Sequence, residues 1–324
     1  MMKLINDKKK PLIILTGPTA VGKTHLSISL AKRVGGEIIS ADSMQVYKGM
    51  DIGSAKIRKE EMDGVRHHLI DILEPWEEFH VAKFQSMAKK AMAEIYGRGK
   101  IPILVGGTGF YIQALLKDID FQKEEEDISY RLELESYLKK EGAKALHEKL
   151  KEVDPISAEN IHYNNHKRVI RALEYYHIHK RPISLHNEEE KKRNSPYNFL
   201  YFVLTDDRDR LYKRINERID QMLGMGLVEE VKILKSKGCH RNLVSMQGLG
   251  YKEILDYLDG KVSLEEAVEI LKRDTRHFAK RQLTWFRREE EVVWLDKETF
   301  AYDEEAILKT MLELCKKREI KSNE

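Results

Sequence analysis

Leu12-Ile-Ile-Leu-Thr-Gly-Pro-Thr-Ala-Val-Gly-Lys-Thr24 is the stretch whose reading decides the fold. Leu12–Leu15 is a short apolar strand. Gly17, Pro18, Thr19, Ala20, Val21, Gly22, Lys23 and Thr24 then fit the pattern G-x-x-x-x-G-K-[ST]. Thr24–Val34 follows as a helix with Leu26, Leu30 and Val34 on one stripe. A strand, a glycine loop and a helix start are the context in which this pattern cradles phosphate. The glycines let backbone N–H groups turn inward, and the helix dipole favours an anion. Lys23 adds a point charge, and the Thr24 hydroxyl can ligate Mg²⁺. The loop implies a diphosphate or triphosphate ligand. It does not imply NTP hydrolysis, because any pyrophosphate-bearing substrate meets the same donors.

Working outward, Ile38–Ile39 reads as a second strand ending in Ser40-Ala41-Asp42. His80–Tyr96 is a helix, with Val81, Phe84, Ala88, Ala91 and Ile95 at helical spacing. Ile101–Val105 is a further strand that ends at Gly106-Gly107. This alternation predicts an α/β fold, a P-loop NTPase-like parallel sheet with helices on both faces. Ligands bind such sheets at the carboxyl ends of the strands. Three loops, Gly17–Thr24, Ala41–Gln45 and Gly106–Gly109, therefore converge on one crevice. Asp42 brings a carboxylate there, beside Ser43 and Gln45. It can bind Mg²⁺, take a proton from a nucleophile, or simply cap the next turn. Thr108 offers a hydroxyl near the phosphates.

The composition changes at Asp118, where the chain becomes helical and charged. Arg131–Glu141, Ala143–Val153 and Lys167–His179 read as helices, and Glu188–Arg193 as a solvated loop. Phe199–Leu204 returns as a strand. The domain reading is therefore a core in two parts, residues 1–117 and 198–324, with an inserted all-helical subdomain at 118–197. In the second part Arg208–Leu223, Val228–Ser236, Tyr251–Leu258, Ser263–Arg288 and Glu304–Arg318 look helical. Of 324 residues 41% are hydrophobic, enough for a core and too many for a disordered chain. Two cysteines, Cys239 and Cys315, exclude a disulfide scaffold and a multi-cysteine zinc site, and they fit a reducing compartment such as the cytoplasm. The longest apolar runs are strand-length, so no membrane span is expected. Lys8–Lys10 precedes too short an apolar stretch for an export signal. The formal charge of +3 says little, so a nucleic-acid footprint must come from clustering. Such a cluster occurs late. On a helix, Arg273, Arg276, Lys280, Thr284 and Arg287 share one side, with Leu271, Phe278 and Trp285 opposite. That is a basic ridge on an apolar base, or an ordinary solvated helix face.

Several segments together resemble bacterial tRNA dimethylallyltransferases (tRNA isopentenyltransferases). They are GPTAVGKT, the Ala41–Lys56 segment, His67-His68 before LIDI, and GGTGFYIQALL. Asp154-Pro155, Ile161–Asn165, Arg168 and Arg171–Glu174 are similar too, as are Arg214–Leu223, Gln247–Lys252 and Lys280–Arg287. The likeness runs from about Pro11 to Arg288. Gly248 stands where some relatives carry cysteine, and the zinc finger of eukaryotic relatives is not found.

The resemblance implies transfer of a dimethylallyl group from dimethylallyl diphosphate to N6 of adenosine 37 of tRNA. The acceptors would be tRNAs reading codons that begin with U. The phosphate loop, with Arg214, would then hold the donor diphosphate rather than ATP, with Mg²⁺ as cofactor on Thr24. Asp42 is the implied base, and Lys23, Thr24 and Thr108 complete the implied catalytic set. The implied tRNA contacts are Asp42, Ser43, Met44, Gln45, Thr108, Arg131, His166, Lys167 and Arg168. Further along they are Gln247, Gly248, Leu249, Gly250, Tyr251, Lys252, Lys280, Arg281, Gln282, Leu283, Thr284, Trp285, Phe286 and Arg287. Arg218 is either a further phosphate clamp or a surface charge. A stacked adenine must leave its stack to reach a buried donor. No obligate protein partner is implied, and a monomer is expected. Three alternatives remain: a P-loop nucleoside or metabolite kinase, an NTP-driven nucleic-acid switch, and a prenyltransferase of free adenine nucleotides.

Overall fold

The computed structural model describes residues 9–121 and 128–321, so Lys8 lies outside the described residues. The first part of the chain forms β1 (Lys10–Thr16), α1 (Lys23–Val34), β2 (Gly36–Ser40), β3 (His67–His68), α2 (Val81–Gly97), β4 (Ile101–Gly106) and α3 (Gly109–Leu116). Four helices follow: α4 (Ile128–Val153), α5 (Pro155–Asn160), α6 (His166–His179) and α7 (Ile183–Lys192). The chain then returns through β5 (Tyr197–Thr205), α8 (Arg208–Gly224), α9 (Leu227–Ser236), a 3-10 turn at Ser245–Gln247, α10 (Tyr251–Leu258), α11 (Leu264–Phe286), β6 (Val292–Asp296) and α12 (Glu304–Lys317).

The six strands form one sheet in the order β3-β2-β4-β1-β5-β6, and every pairing is parallel. β1 lies centrally, with Ile13 opposite Ile103 on one side and Leu200 on the other. Successive residues of a strand face opposite sides of a sheet. Leu12, Ile13, Ile14 and Leu15 are all fully buried, so both faces of β1 are covered. Because the strands are parallel, all their carboxyl ends open on one edge.

β3 and β6 were not expected from the sequence. β3 has two residues, too few for any period. β6, VVWLD, is a partly exposed edge strand whose pattern is weak on its own. Glu188–Arg193 is a correction: most of it is the last half of helix α7, not a loop. Lys192 pairs with Glu188 one turn away at 2.8 Å, and Glu190 is buried with Arg193 at 3.0 Å. The helix break read at Gly142 is present, because Gly142 takes φ 85° between the two halves of α4.

The described chain divides into two compact units, Met1–Leu116 with Pro196–Glu324, and Lys117–Ser195. The first holds the sheet and its core. The second has its own small core of Leu134, Leu146, Leu150, Val169 and Leu173. Asp154 pins that unit. It is fully buried and accepts hydrogen bonds from the amides and hydroxyls of Ser157 and Ser184. Burial pushes its pKa up, but these four bonds outweigh that and hold it below the usual value.

Candidate active site

Each strand of the sheet's middle delivers one part of the site from its carboxyl end. After β1 comes the loop Gly17–Gly22. Gly17 has φ 146°, and a Cβ there would overlap the Leu204 carbonyl of β5, so the close passage of two strands demands glycine. Gly22 starts α1 with φ 101°, and no side chain caps that helix. Its first amides therefore point into the loop. Lys23 Nζ donates to the carbonyls of Gly17 at 3.0 Å and Pro18 at 2.8 Å. Burial pulls the Lys23 pKa down to about 7. The positive charge of Arg218 adds to this, and Asp42 opposes it.

After β2 comes Asp42. Its Oδ1 accepts the amides of Met44 at 2.8 Å and Gln45 at 3.3 Å. The capping role is thus real but uses one oxygen. Oδ2 has no hydrogen-bond partner among the described residues. The Gln45 amide is spent inside its own loop, accepting from Ser40 Oγ and donating to the Ser54 and Ala55 carbonyls. Ser43 and Met44 are half-buried beside it. After β4 the amide of Thr108 donates to the Ala41 carbonyl at 3.3 Å, which draws Thr108 beside Asp42. The Thr16 hydroxyl donates to Gly106 O at 2.6 Å and joins the loops after β1 and β4.

The other side of the crevice is cationic. After β5, Asp206 accepts from Arg214 Nη1 at 3.2 Å, and the same guanidinium reaches Val21 O at 3.5 Å. One turn further along α8, Arg218 lies where Asp42 attracts it and Arg214 repels it. Burial, the largest effect, lowers its pKa. After β6, Lys297 Nζ also reaches Val21 O at 3.5 Å, and burial beside Arg214 lowers its pKa. Sequence reasoning missed Lys297 because β6 itself was missed. A strand ending at Asp296 would have put Lys297 on the functional edge.

The expected tRNA-contacting residues divide by exposure. On α11, Lys280, Arg281, Thr284 and Arg287 are exposed, while Leu283 and Trp285 are half-buried. Gln282 and Phe286 turn into the protein instead. Phe286 is a core residue, and Gln282 is 7% exposed with both ends of its amide bonded inside the protein. The apolar base of the helix is Leu271, Ala279 and Phe286, so Phe278 only skirts it. Arg276 does not stand free in solvent: its Nη1 donates to Asn216 Oδ1 at 2.7 Å. Tyr251 likewise turns inward, fully buried with its hydroxyl on Glu230 at 2.8 Å. Gly248 packs on Met44, whose sulfur would lie 2.6 Å from a Cβ there. Gln247 donates to Arg241 O, Lys252 pairs with Glu253 at 3.3 Å, and Gly250 opens α10 next to half-buried Leu249.

In the second unit, Arg131 makes a two-pronged pair with Glu174 at 2.8 and 3.0 Å. Lys167 and Arg168 are exposed in the first turn of α6, where cations oppose the helix dipole. That placement costs stability, and it suits an anionic ligand. His166 beside them keeps a buried Nε2 without a partner among the described residues.

Among the described residues no cluster of three or more His, Cys, Asp or Glu is placed to hold a metal, and no helix is long and apolar enough to cross a membrane. Residues 45–289 match the family model described as IPP transferase. The chain is 60% identical to the tRNA dimethylallyltransferase of Lachnoclostridium phytofermentans, over 96% of this chain and 99% of that one. It is 48% identical to the full-length tRNA isopentenylpyrophosphate transferase of Bacillus halodurans. That structure superposes with a TM-score of 0.72 and covers 96% of this chain and 98% of its own. A eukaryotic dimethylallyltransferase acting on tRNA is 32% identical, with a TM-score of 0.77 over 89% of this chain and 74% of its own.

Proposed function

The chain belongs to the IPP transferase family, and from that premise we propose that it acts as a tRNA dimethylallyltransferase. It moves a dimethylallyl group from dimethylallyl diphosphate to N6 of adenosine 37 of tRNA. The kinase, switch and free-nucleotide readings draw no support from its relatives. The observation that carries the mechanism is the meeting, on one sheet edge, of a cation-lined phosphate loop with a half-bonded carboxylate, Asp42.

The donor's C–O bond breaks as the N6–C bond forms, and negative charge grows on the departing diphosphate. The α1 amides, Lys23, Arg214 and Lys297 stabilise that charge where it develops. The exocyclic amine is a weak nucleophile whose proton must leave. Asp42 takes that proton at Oδ2 while its Oδ1 stays held by two amides. Arg218 feels the charge of Asp42 on one side and of Lys23 and Arg214 on the other, so it couples the base electrostatically to the leaving-group site. Thr108 orients the base edge next to Asp42.

Mg²⁺ fits these residues as cofactor. Such an ion prefers one or two protein oxygens plus substrate phosphates to an all-protein cage. The Thr24 hydroxyl at the start of α1 would hold it, and the ion would supply charge to the diphosphate. The exposed cations of α11, with Lys167 and Arg168, meet RNA phosphate. We place the enzyme in the cytoplasm as a monomer, with no obligate protein partner. The test is nucleoside mass analysis of tRNA incubated with dimethylallyl diphosphate and Mg²⁺. A dimethylallyl adduct on the adenine with release of diphosphate is expected. ADP formation from ATP without any adduct would sink the reading.

A further inference from the structure

α11 does more than carry exposed cations. Its buried face reaches the two loops that must hold donor and acceptor together. Gln282 Oε1 accepts the amide N–H of Thr19 in the phosphate loop at 2.9 Å. The same side chain, through Nε2, donates to the carbonyl of Gly107 in the loop after β4, also at 2.9 Å. Gln282 is 7% exposed, so neither bond competes with bulk water. Both partners are far away in sequence, and among the described residues no other side chain of α11 hydrogen-bonds to either loop. Gly107 has no side chain because there is no room for one: a Cβ would overlap the Gln282 amide. One helical turn on, the Trp285 indole lies against Gly109, where a Cβ would also collide. The helix thus touches the acceptor loop at two points one turn apart.

We propose that Gln282 is a positioning residue for prenyl transfer, an amide clip that fixes the phosphate loop against the Gly107–Thr108 loop. This rests on the prenyl-transfer reading above. The chemistry demands an amide. One end must accept from an N–H and the other must donate to a carbonyl, and of the side chains of this length only glutamine does both without charge. A carboxylate would accept from Thr19 but set an oxygen against the Gly107 carbonyl. A thioether of equal length would leave both backbone groups unpaired. Thr108 follows Gly107 directly and is tied to Ala41, next to Asp42. The clip therefore sets the spacing between the diphosphate cradle and the base that receives the proton. Its helix presents Lys280, Arg281, Thr284 and Arg287 on the outside, so RNA bound there bears on the same two loops.

Gln282→Met and Gln282→Glu are the test, with single-turnover transfer, tRNA affinity and urea unfolding measured on each full-length variant. Misplacing reacting groups by about 1 Å costs on the order of 10²-fold. The expected result is a transfer rate reduced about 10–100-fold at saturating donor and tRNA, with tRNA affinity within about twofold of wild type. Gly107→Ala should give a similar loss by pushing the amide aside. The Gln282→Met, Gly107→Ala double variant should then be no slower than the worse single, because both break one clip. The proposal is overturned by rates within about twofold of wild type, by additive losses in the double variant, or by tRNA affinity falling in step with rate. A loss that vanishes once rates are scaled to the folded fraction would also overturn it, leaving Gln282 a packing residue. Wild-type protein run alongside separates this from the parent reading. If wild type forms no adduct, the prenyl-transfer reading fails and the positioning role with it.

Discussion

The two ends of the one parallel sheet treat charge in opposite ways. At the amino end, Glu37 of β2 is 1% exposed and gathers three partners. Arg98 binds it at 2.7 and 3.1 Å, His68 at 2.7 Å and Lys100 at 3.3 Å. Burial pushes the Glu37 pKa up, but these bonds outweigh it and bring it to about 2. At the carboxyl end, Lys23, Arg214, Arg218 and Lys297 crowd one loop, with Asp42 and Asp206 to answer them. Burial lowers the pKa of three of these cations, Lys23 to about 7. One end has satisfied its buried charge from its own side chains, and the other has assembled cations whose charge is left over. Satisfied charge holds a fold together, whereas surplus charge on a pre-formed cradle marks where an anion binds.

The largest effect should come from the carboxyl end. Asp42→Asn keeps an acceptor for the Met44 and Gln45 amides and removes the base. Single-turnover transfer should fall about 10²–10⁴-fold with tRNA affinity kept. A rate within a few-fold of wild type would move the base elsewhere and end the contrast as drawn.

At the amino end the effect should fall on stability. Arg98→Ala leaves Glu37 buried with fewer partners, and urea unfolding should show a lowered midpoint with transfer by the folded protein unchanged. The pH test follows from the lowered pKa. The contribution of Glu37 is complete above the unfolded carboxyl value of 4.5 and is lost as pH falls toward about 2. Wild type should therefore lose its advantage over the variant across that acid window, as unfolding midpoints against pH will tell.

Lys23 sharpens the contrast by protons. Its lowered pKa leaves the free protein mostly unprotonated there above about pH 7, while an unfolded chain stays charged to 10.5. This group therefore favours folding more as pH rises from 7 to 10.5. A bound diphosphate stabilises the ammonium and reverses the shift. Calorimetry of diphosphate binding at pH 8, in buffers of different ionisation heat, should register uptake of up to about one proton, and almost none at pH 6. Equal heats after buffer correction at both values would mean that Lys23 does not meet the anion.

The smallest effect belongs to the outer face of α11. Lys280 and Arg287 are exposed, and their joint change to alanine should flatten the log–log salt dependence of tRNA affinity by up to about two units. Folding should shift by no more than about 0.5 kcal/mol. Arg276, held by Asn216, should contribute less than either. Parallel salt slopes would reduce this face to an ordinary solvated surface.

What the sequence determined by itself was local or repeated along the chain. The apolar run Leu12–Leu15, the glycine loop ending in Lys23-Thr24, and helical stripes such as Val81–Ile95 carry their own period and chemistry. They were enough for the parallel sheet, its functional edge and Asp42. Tertiary structure alone decided which distant groups complete that edge. Lys297 reaches Val21 across 276 positions, and Gln282 reaches Thr19 across 263. No periodicity registers such pairs, because they arise only when separate strands end side by side. The same reason explains which way three other side chains turn. Gln282, Phe286 and Tyr251 sit in segments rich in charge, and their inward direction was fixed by what α10 and α11 pack against, not by their neighbours in sequence.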